Sequence, residues 1–193
     1  SFVLMDLDER GFRRLSNILF NRYLAVTGDV GGLVGLKLYM SLRAAIRAHV
    51  RAAASNTAAQ RDARAQMAHD AVAYFDLALK YHTPVAPSLI AVGGLSGSGK
   101  SRLARELAPH IGSSPGAYIA RSDAIRKRIP GVSINDRLPS MAYRPDMSQQ
   151  TYDQLYIEAR EALSAGYAVV ADAVFARPTE RQAIRQVADQ LGV

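Results

Sequence analysis

Apolar residues recur at helical spacing through the first eighty positions, then gather into short blocks separated by polar and glycine-rich stretches. Leu15, Ile18, Leu19, Tyr23 and Val26 define a first helical run, which Gly28 stops. Leu33, Leu36, Leu38, Met40, Leu42, Ile46 and Val50 define a second, bordered by Arg43, Arg47 and Arg51 one turn apart. A third runs from about Thr57 to Tyr81, with Asn56 or Thr57 as its cap and Met67, Val72, Phe75 and Leu79 facing inward. Three helices with short connections predict an antiparallel helical subdomain over residues 1–83. Pro84 and Pro87 resist continuation of a helix and make 84–87 a linker.

From Ser88 the pattern alternates strand and helix. Apolar blocks at Leu89–Gly93, Ala117–Ala120 and Tyr167–Ala171 read as strands, the last so continuously apolar that it suits a buried parallel strand. Between them lie a helix ending near Gly112, a basic helix start at Ala124–Arg128, and a polar, proline-containing connection from Pro130 to Met147. A long helix follows, capped by Ser148 and closed by Gly166. Pro178 opens a final helix and Gly192 stops it. The fold class is therefore α/β: a parallel sheet flanked by helices over 88–193, preceded by an all-α subdomain.

Gly94-Leu95-Ser96-Gly97-Ser98-Gly99-Lys100-Ser101 sits between the first strand and its helix, the context that gives this spacing its meaning. Glycines at 94, 97 and 99 allow positive φ, so successive amides can turn toward one phosphate. The helix starting near Lys100 aims its unsatisfied N–H groups and positive dipole end at the same place. Lys100 would reach the β- and γ-phosphates and Ser101 would ligate Mg²⁺, with Gly94, Ser96, Gly97, Ser98, Gly99 and Arg102 completing the nucleotide cradle.

Ligands in such sheets bind outside the carboxyl ends of the strands. Asp123 follows the second strand and Asp172 ends the third. Metal-dependent phosphoryl transfer needs one acid for Mg²⁺ and one for the acceptor hydroxyl. Asp172 is assigned to the metal and Asp123 to the acceptor, although either could instead only cap its following helix. Arg126, one turn beyond Asp123, is placed to grip an anionic acceptor or a phosphate, whereas Lys127 and Arg128 read as solvated. Asp6 and Asp8 read as an acidic pair leading a helix rather than a metal site. Arg43, Arg47 and Arg51 read as a solvated stripe, or as partners of carboxylates on a neighbouring helix.

The 193 residues carry 24 Lys and Arg against 17 Asp and Glu, a net charge of +7 that favours anionic partners. A nucleotide suits that charge; nucleic acid is disfavoured, because basic and aromatic residues do not interleave. With 49% hydrophobic residues the chain can bury a sizeable core, and no apolar run is long enough to span a bilayer. The absence of cysteine excludes disulfides and thiolate metal sites and fits a cytoplasmic protein.

Three stretches carry a family resemblance: Gly-Gly-Leu-Ser-Gly-Ser-Gly-Lys-Ser at 93–101, Arg-Ser-Asp-Ala-Ile-Arg-Lys-Arg at 121–128, and Val-Val-Ala-Asp-Ala-Val-Phe at 169–175 with Arg181 downstream. Residues 88–193 resemble the P-loop kinase-like family of small AAA-type ATP-binding domains, related in plan to gluconate kinases, polynucleotide kinases and zeta toxins. Phe-Val-Leu-Met-Asp-Leu-Asp at 2–8, Asn-Arg-Tyr-Leu at 21–24, Thr-Gly-Asp at 27–29 and Tyr-Met-Ser-Leu-Arg-Ala-Ala-Ile-Arg-Ala at 39–48 resemble the C-terminal helices of an aminoglycoside phosphotransferase-like domain. Together the halves resemble bacterial bifunctional aminoglycoside phosphotransferase/ATP-binding proteins.

The resemblance implies ATP and Mg²⁺ as cofactors and an unidentified small molecule as phosphoryl acceptor. It also implies that this chain is a segment of a larger protein. The His-x-Asp loop, metal-binding Asp and nucleotide lobe of the aminoglycoside phosphotransferase family are absent, so the first half is expected to have no kinase activity alone. A nucleotide-dependent regulatory module is the principal alternative, and a polynucleotide kinase a weaker one.

Overall fold

The computed structural model describes residues 1–136, 138 and 144–193. Four helices precede the sheet: α1 Phe2–Glu9, α2 Arg13–Thr27, α3 Leu33–Thr57 and α4 Arg61–Lys80. Gly28 ends α2 with φ of 70°, as the sequence pattern predicts. Between α3 and α4 the boundary differs from expectation. Asn56 and Thr57 close α3 instead of capping α4, whose N-cap is Gln60.

The inward side of α4 also differs. Val72, Phe75 and Leu79 are exposed, Leu79 by 70%, and Met67 is only half-buried. Ala71 and Ala78 face the interior of α4, while Ala44 and Ala48 do so on α3. Small residues let two helices approach closely, so the seam is lined with alanine and the larger side chains flank it. Ser41 Oγ donates to the Ala78 carbonyl at 3.0 Å, and the His49 and Phe75 rings meet edge to face, which holds the hairpin antiparallel. Arg47 pairs with Asp6 at 3.6 Å, Arg51 with Asp70 at 3.9 Å, and Arg43 lies over the Phe2 ring. The arginine stripe is thus partnered.

Asp6 and Asp8 do not lead a helix. They lie toward the end of α1, where Asp8 accepts hydrogen bonds from Tyr81 Oη at 2.9 Å and from Ser114 Oγ. Burial and the Asp8 charge push the Tyr81 phenol above its ordinary pKa.

The second half contains β1 Leu89–Val92, α5 Lys100–Leu107, a 3-10 turn at Ala108–His110, β2 Tyr118–Arg121, α6 Ser122–Arg128, α7 Pro145–Ser164, β3 Val169–Asp172 and α8 Pro178–Leu191. The strands form a parallel sheet in the order β1-β3-β2. Every residue of β3 is buried, as its continuous apolar run predicts. Pro178 opens α8 and Gly192 closes it at φ of 67°. Ser148, expected as a cap, lies inside the first turn of α7, which starts at Pro145 after Arg144. Residues 137 and 139–143 of the polar 130–147 connection lie outside the described residues.

The sheet has apolar residues on both faces. Val169 and Ala171 join a cluster with Tyr118, Leu155 and Tyr167 that also contains Phe20, Leu24 and Met40 of the preceding helices. Val170 packs on the other face with Val92, Ala104 and Ala108. The helical stretch and the sheet therefore share one core.

Two further contacts fix α2 against the sheet. Asn21 Oδ1 accepts the Ile119 amide at 2.7 Å, while Asn21 Nδ2 and Asn17 Nδ2 both donate to the Ala117 carbonyl at 3.1 Å. These side chains satisfy backbone groups of β2 and of Ala117 just before it, at the sheet's edge. Arg128, expected in solvent, instead pairs with buried Glu158 and donates to the Leu24 carbonyl at 3.3 Å. Tyr118 Oη donates to the same carboxylate at 2.6 Å, and Gln154 Nε2 at 2.9 Å. A buried carboxylate needs such partners, and these join α2, β2, α6 and α7.

Candidate functional site

The phosphate loop leaves β1 and returns into α5 through glycines at φ of 148° (Gly94), 80° (Gly97) and 87° (Gly99). At Gly94 the backbone conformation selects glycine, whereas the nearest atom a Cβ would meet, Ser98 Oγ at 2.9 Å, could rotate aside. The Gly94 amide donates to the Val174 carbonyl at 3.2 Å, tying the loop to the turn after β3. Ser96, Gly97, Ser98 and Gly99 are exposed along the loop. Lys100 Nζ donates to the Leu95 carbonyl at 3.0 Å, closing the loop upon itself. Arg102 lies exposed in the first turn of α5, its amide bonded to Gly99 O at 2.9 Å.

A cavity of about 210 Å³ is lined by Ser101 and Arg105 of α5, Arg121 of β2, Asp172 of β3, and Asn17, Asn21 and Arg22 of α2. The two residues expected to hold Mg²⁺, Ser101 and Asp172, therefore face one cavity. Register explains part of this geometry: Arg121 and Asp172 are direct partners across the parallel β2-β3 pair. Arg121 Nε lies 3.7 Å from Asp172 Oδ2, and Arg121 Nη2 lies 3.4 Å from Asp123 Oδ2. One guanidinium bridges both acids.

Asp172 is 2% exposed, and neither of its carboxylate oxygens has a hydrogen-bond partner among the described residues. Arg121 Nε is likewise buried without one. Folded proteins seldom leave buried polar atoms unsatisfied except where a ligand or strained function accounts for them. A hydroxyl and one carboxylate beside a phosphate loop fit Mg²⁺, which takes one or two carboxylates together with phosphate oxygens and water. Among the described residues no three His, Cys, Asp or Glu side chains gather into a denser metal cluster.

Asp123 lies in the first turn of α6 without making a side-chain cap. Besides Arg121 it pairs with Lys127 Nζ at 3.6 Å, and Lys127 also donates to the Ile134 carbonyl at 3.0 Å. Lys127 is thus engaged at the site rather than solvated.

Arg126 points elsewhere, into a cleft of about 470 Å³ shared with Gln149, Tyr152, Asp153, Arg177 and Glu180. Its Nη1 donates to Ser148 Oγ at 3.1 Å. Tyr152 Oη accepts the Phe175 amide at 3.0 Å, and burial raises the Tyr152 pKa. Phe175 is the one non-glycine among the described residues with positive φ, 49°. Arg181 Nη1 holds this turn from the other side through the Phe175 and Ala176 carbonyls. A sparsely populated conformation of this kind persists where surrounding contacts over-determine it.

Arg121, Arg105 and the α2 wall escaped the sequence reading. Arg121 carried a partial signal, since it directly follows the predicted strand Ala117–Ala120 and lies two residues before Asp123. Asn17, Asn21 and Arg22 carried none, because their helix comes to the sheet only through folding.

The family described as AAA domain matches residues 89–193, more than half of the chain. Uncharacterized proteins of Mycobacterium bovis and of two Mycobacterium tuberculosis strains are each 27% identical over 97% of this chain. The chain spans 37% of the length of those relatives. No solved structure gives a significant match. No helix among the described residues is long and apolar enough to cross a membrane.

Proposed function

Because the chain belongs to the AAA domain family, we propose that it binds Mg-ATP and transfers the γ-phosphoryl group to the hydroxyl of a small molecule. The observation that carries this reading is the cavity shared by Ser101, at the end of the glycine loop, and Asp172, which is buried without a hydrogen bond among the described residues. The loop amides and Lys100 bind and orient the phosphates, Lys100 leaving the Leu95 carbonyl to do so. When bound, the metal neutralises charge on the transferring phosphoryl group. Asp123, held by Arg121 and Lys127, positions or deprotonates the acceptor hydroxyl. Arg126 lines a second polar cleft, apart from Asp123, whose wall residue Val174 accepts the Gly94 amide of the phosphate loop.

Titration calorimetry with Mg²⁺ tests the nucleotide site. Lys100→Ala is expected to weaken ATP binding on the order of tenfold or more, through loss of a charge-assisted contact. Undiminished affinity would overturn the assignment.

A regulatory module is favoured by one observation: α2, outside the AAA-matching segment, builds a wall of the cavity. An ADP-release screen with sugars, nucleosides and aminoglycosides separates the readings. Acceptor-dependent turnover supports the kinase, and ATP binding with negligible turnover supports the module.

A further inference from the structure

We propose that Arg121 is a resident counter-cation that competes with the divalent metal for Asp172 and moves to the nucleotide phosphates when metal and nucleotide enter together. The inference rests on the Mg-ATP reading above and adds a device that makes the two ligands bind cooperatively.

The geometry around Arg121 is unlike that of a structural ion pair. Stable buried pairs combine close approach with hydrogen bonds that satisfy the remaining polar atoms. Glu158 illustrates that arrangement here, receiving hydrogen bonds from Arg128, Tyr118 and Gln154. Asp172 is nearly as buried, yet among the described residues its ion pair is with Arg121, at 3.7 Å and without a hydrogen bond. Arg121 divides its charge between Asp172 and Asp123, and its side chain remains 36% exposed. Such a guanidinium neutralises both acids at long range while keeping freedom to leave.

Parallel register explains why it cannot avoid Asp172: the two occupy paired positions at the ends of β2 and β3. Ser101 lines the same cavity, so a cation joining Ser101 and Asp172 would enter beside the guanidinium and be repelled by it. Phosphates on the loop would offer Arg121 another anion. Metal alone must displace Arg121 from Asp172 and leave it only Asp123, whereas metal with nucleotide gives Arg121 a second anion in exchange. A ligand that removes a cost for its companion produces positive coupling between the two sites.

The test measures Mn²⁺ binding to the full chain by electron paramagnetic resonance, with and without ADP. In the parent, ADP is expected to tighten Mn²⁺ binding to the protein. Arg121→Met should tighten Mn²⁺ binding without nucleotide on the order of tenfold, because an unscreened competing charge is gone. It should also reduce the enhancement by ADP. Arg121→Lys, which keeps the charge, should remain within about twofold of the parent, since only reach and fork geometry change. A merely structural arginine would lower metal affinity when lost; unchanged or weaker Mn²⁺ binding in a folded Arg121→Met protein overturns the proposal. Should that variant not fold, Arg121→Gln carries the same expectation and the same refutation. Asp172→Asn separates this proposal from the reading on which it rests. If Asp172→Asn binds Mn²⁺ as the parent does, the metal assignment itself fails.

Discussion

Asp172→Asn should leave the unliganded fold as stable as the parent or stabilise it by about 1 kcal/mol, an unusual outcome for a substitution at a buried position. Burying a carboxylate costs several kcal/mol. Its attraction to Arg121 at 3.7 Å is about 4 kcal/mol at an effective dielectric near 20. Because the arginine side chain is 36% exposed, solvent screening reduces that to roughly half. With no hydrogen bond to add, the carboxylate is close to neutral or net unfavourable for folding. Asparagine has the same shape and no charge to desolvate, and Arg121 keeps Asp123 as its partner.

Urea unfolding followed by circular dichroism measures this directly. Repeating it with Mg-ATP at 100 times the dissociation constant should stabilise the parent by about 2.7 kcal/mol. The variant should gain much less, so the order of stabilities reverses on adding ligand. A loss of more than about 1 kcal/mol in unliganded Asp172→Asn would refute the reasoning, because only a carboxylate anchored by strong native contacts behaves so.

Two other predictions concern the frame of the site. Asn21→Ala removes the acceptor for the Ile119 amide and one donor to the Ala117 carbonyl, which Asn17 still serves; denaturant unfolding should show a loss of about 1–2 kcal/mol. Less than a few tenths would mean that water replaces the side chain at the β2 edge. The Tyr118 phenol is held above the ordinary 10.0 by burial first, then by the Glu158 charge and hydrogen bond. The folded state retains this proton where the unfolded chain releases it, so the associated stability is complete below pH 10 and is lost as pH rises. Tyr118→Phe should accordingly flatten the alkaline fall in stability by about 1.4 kcal/mol per pH unit, and an unchanged slope would refute it.

Local patterns made a large part of this protein legible without coordinates. A glycine loop between an apolar strand and a helix start can be read because its chemistry lies in backbone conformations that neighbouring residues dictate. The apolar run from Tyr167 onward likewise announced a buried strand, and its terminal Asp172 stood out as a charge at the end of an apolar block. Periodicity was a poorer guide to the α3–α4 hairpin. It finds a stripe of large side chains, whereas close packing selected Ala44, Ala48, Ala71 and Ala78. Lys127 and Arg128 were also misplaced in solvent, since their carboxylate and carbonyl partners lie on the same short helix, on α7 and on the distant α2.

Only the tertiary structure decided what surrounds the phosphate loop. Asn21 is 98 residues from the amide it satisfies, and no local rule predicts that α2 lies against the edge of β2. Arg121 and Asp172 became partners through the register of two parallel strands, a relation between distant segments that a single chain's spacing does not contain. Sequence determined the phosphate-binding element because its information is local. Folding determined the charge balance around Asp172 because burial and Coulomb attraction depend on three-dimensional distance.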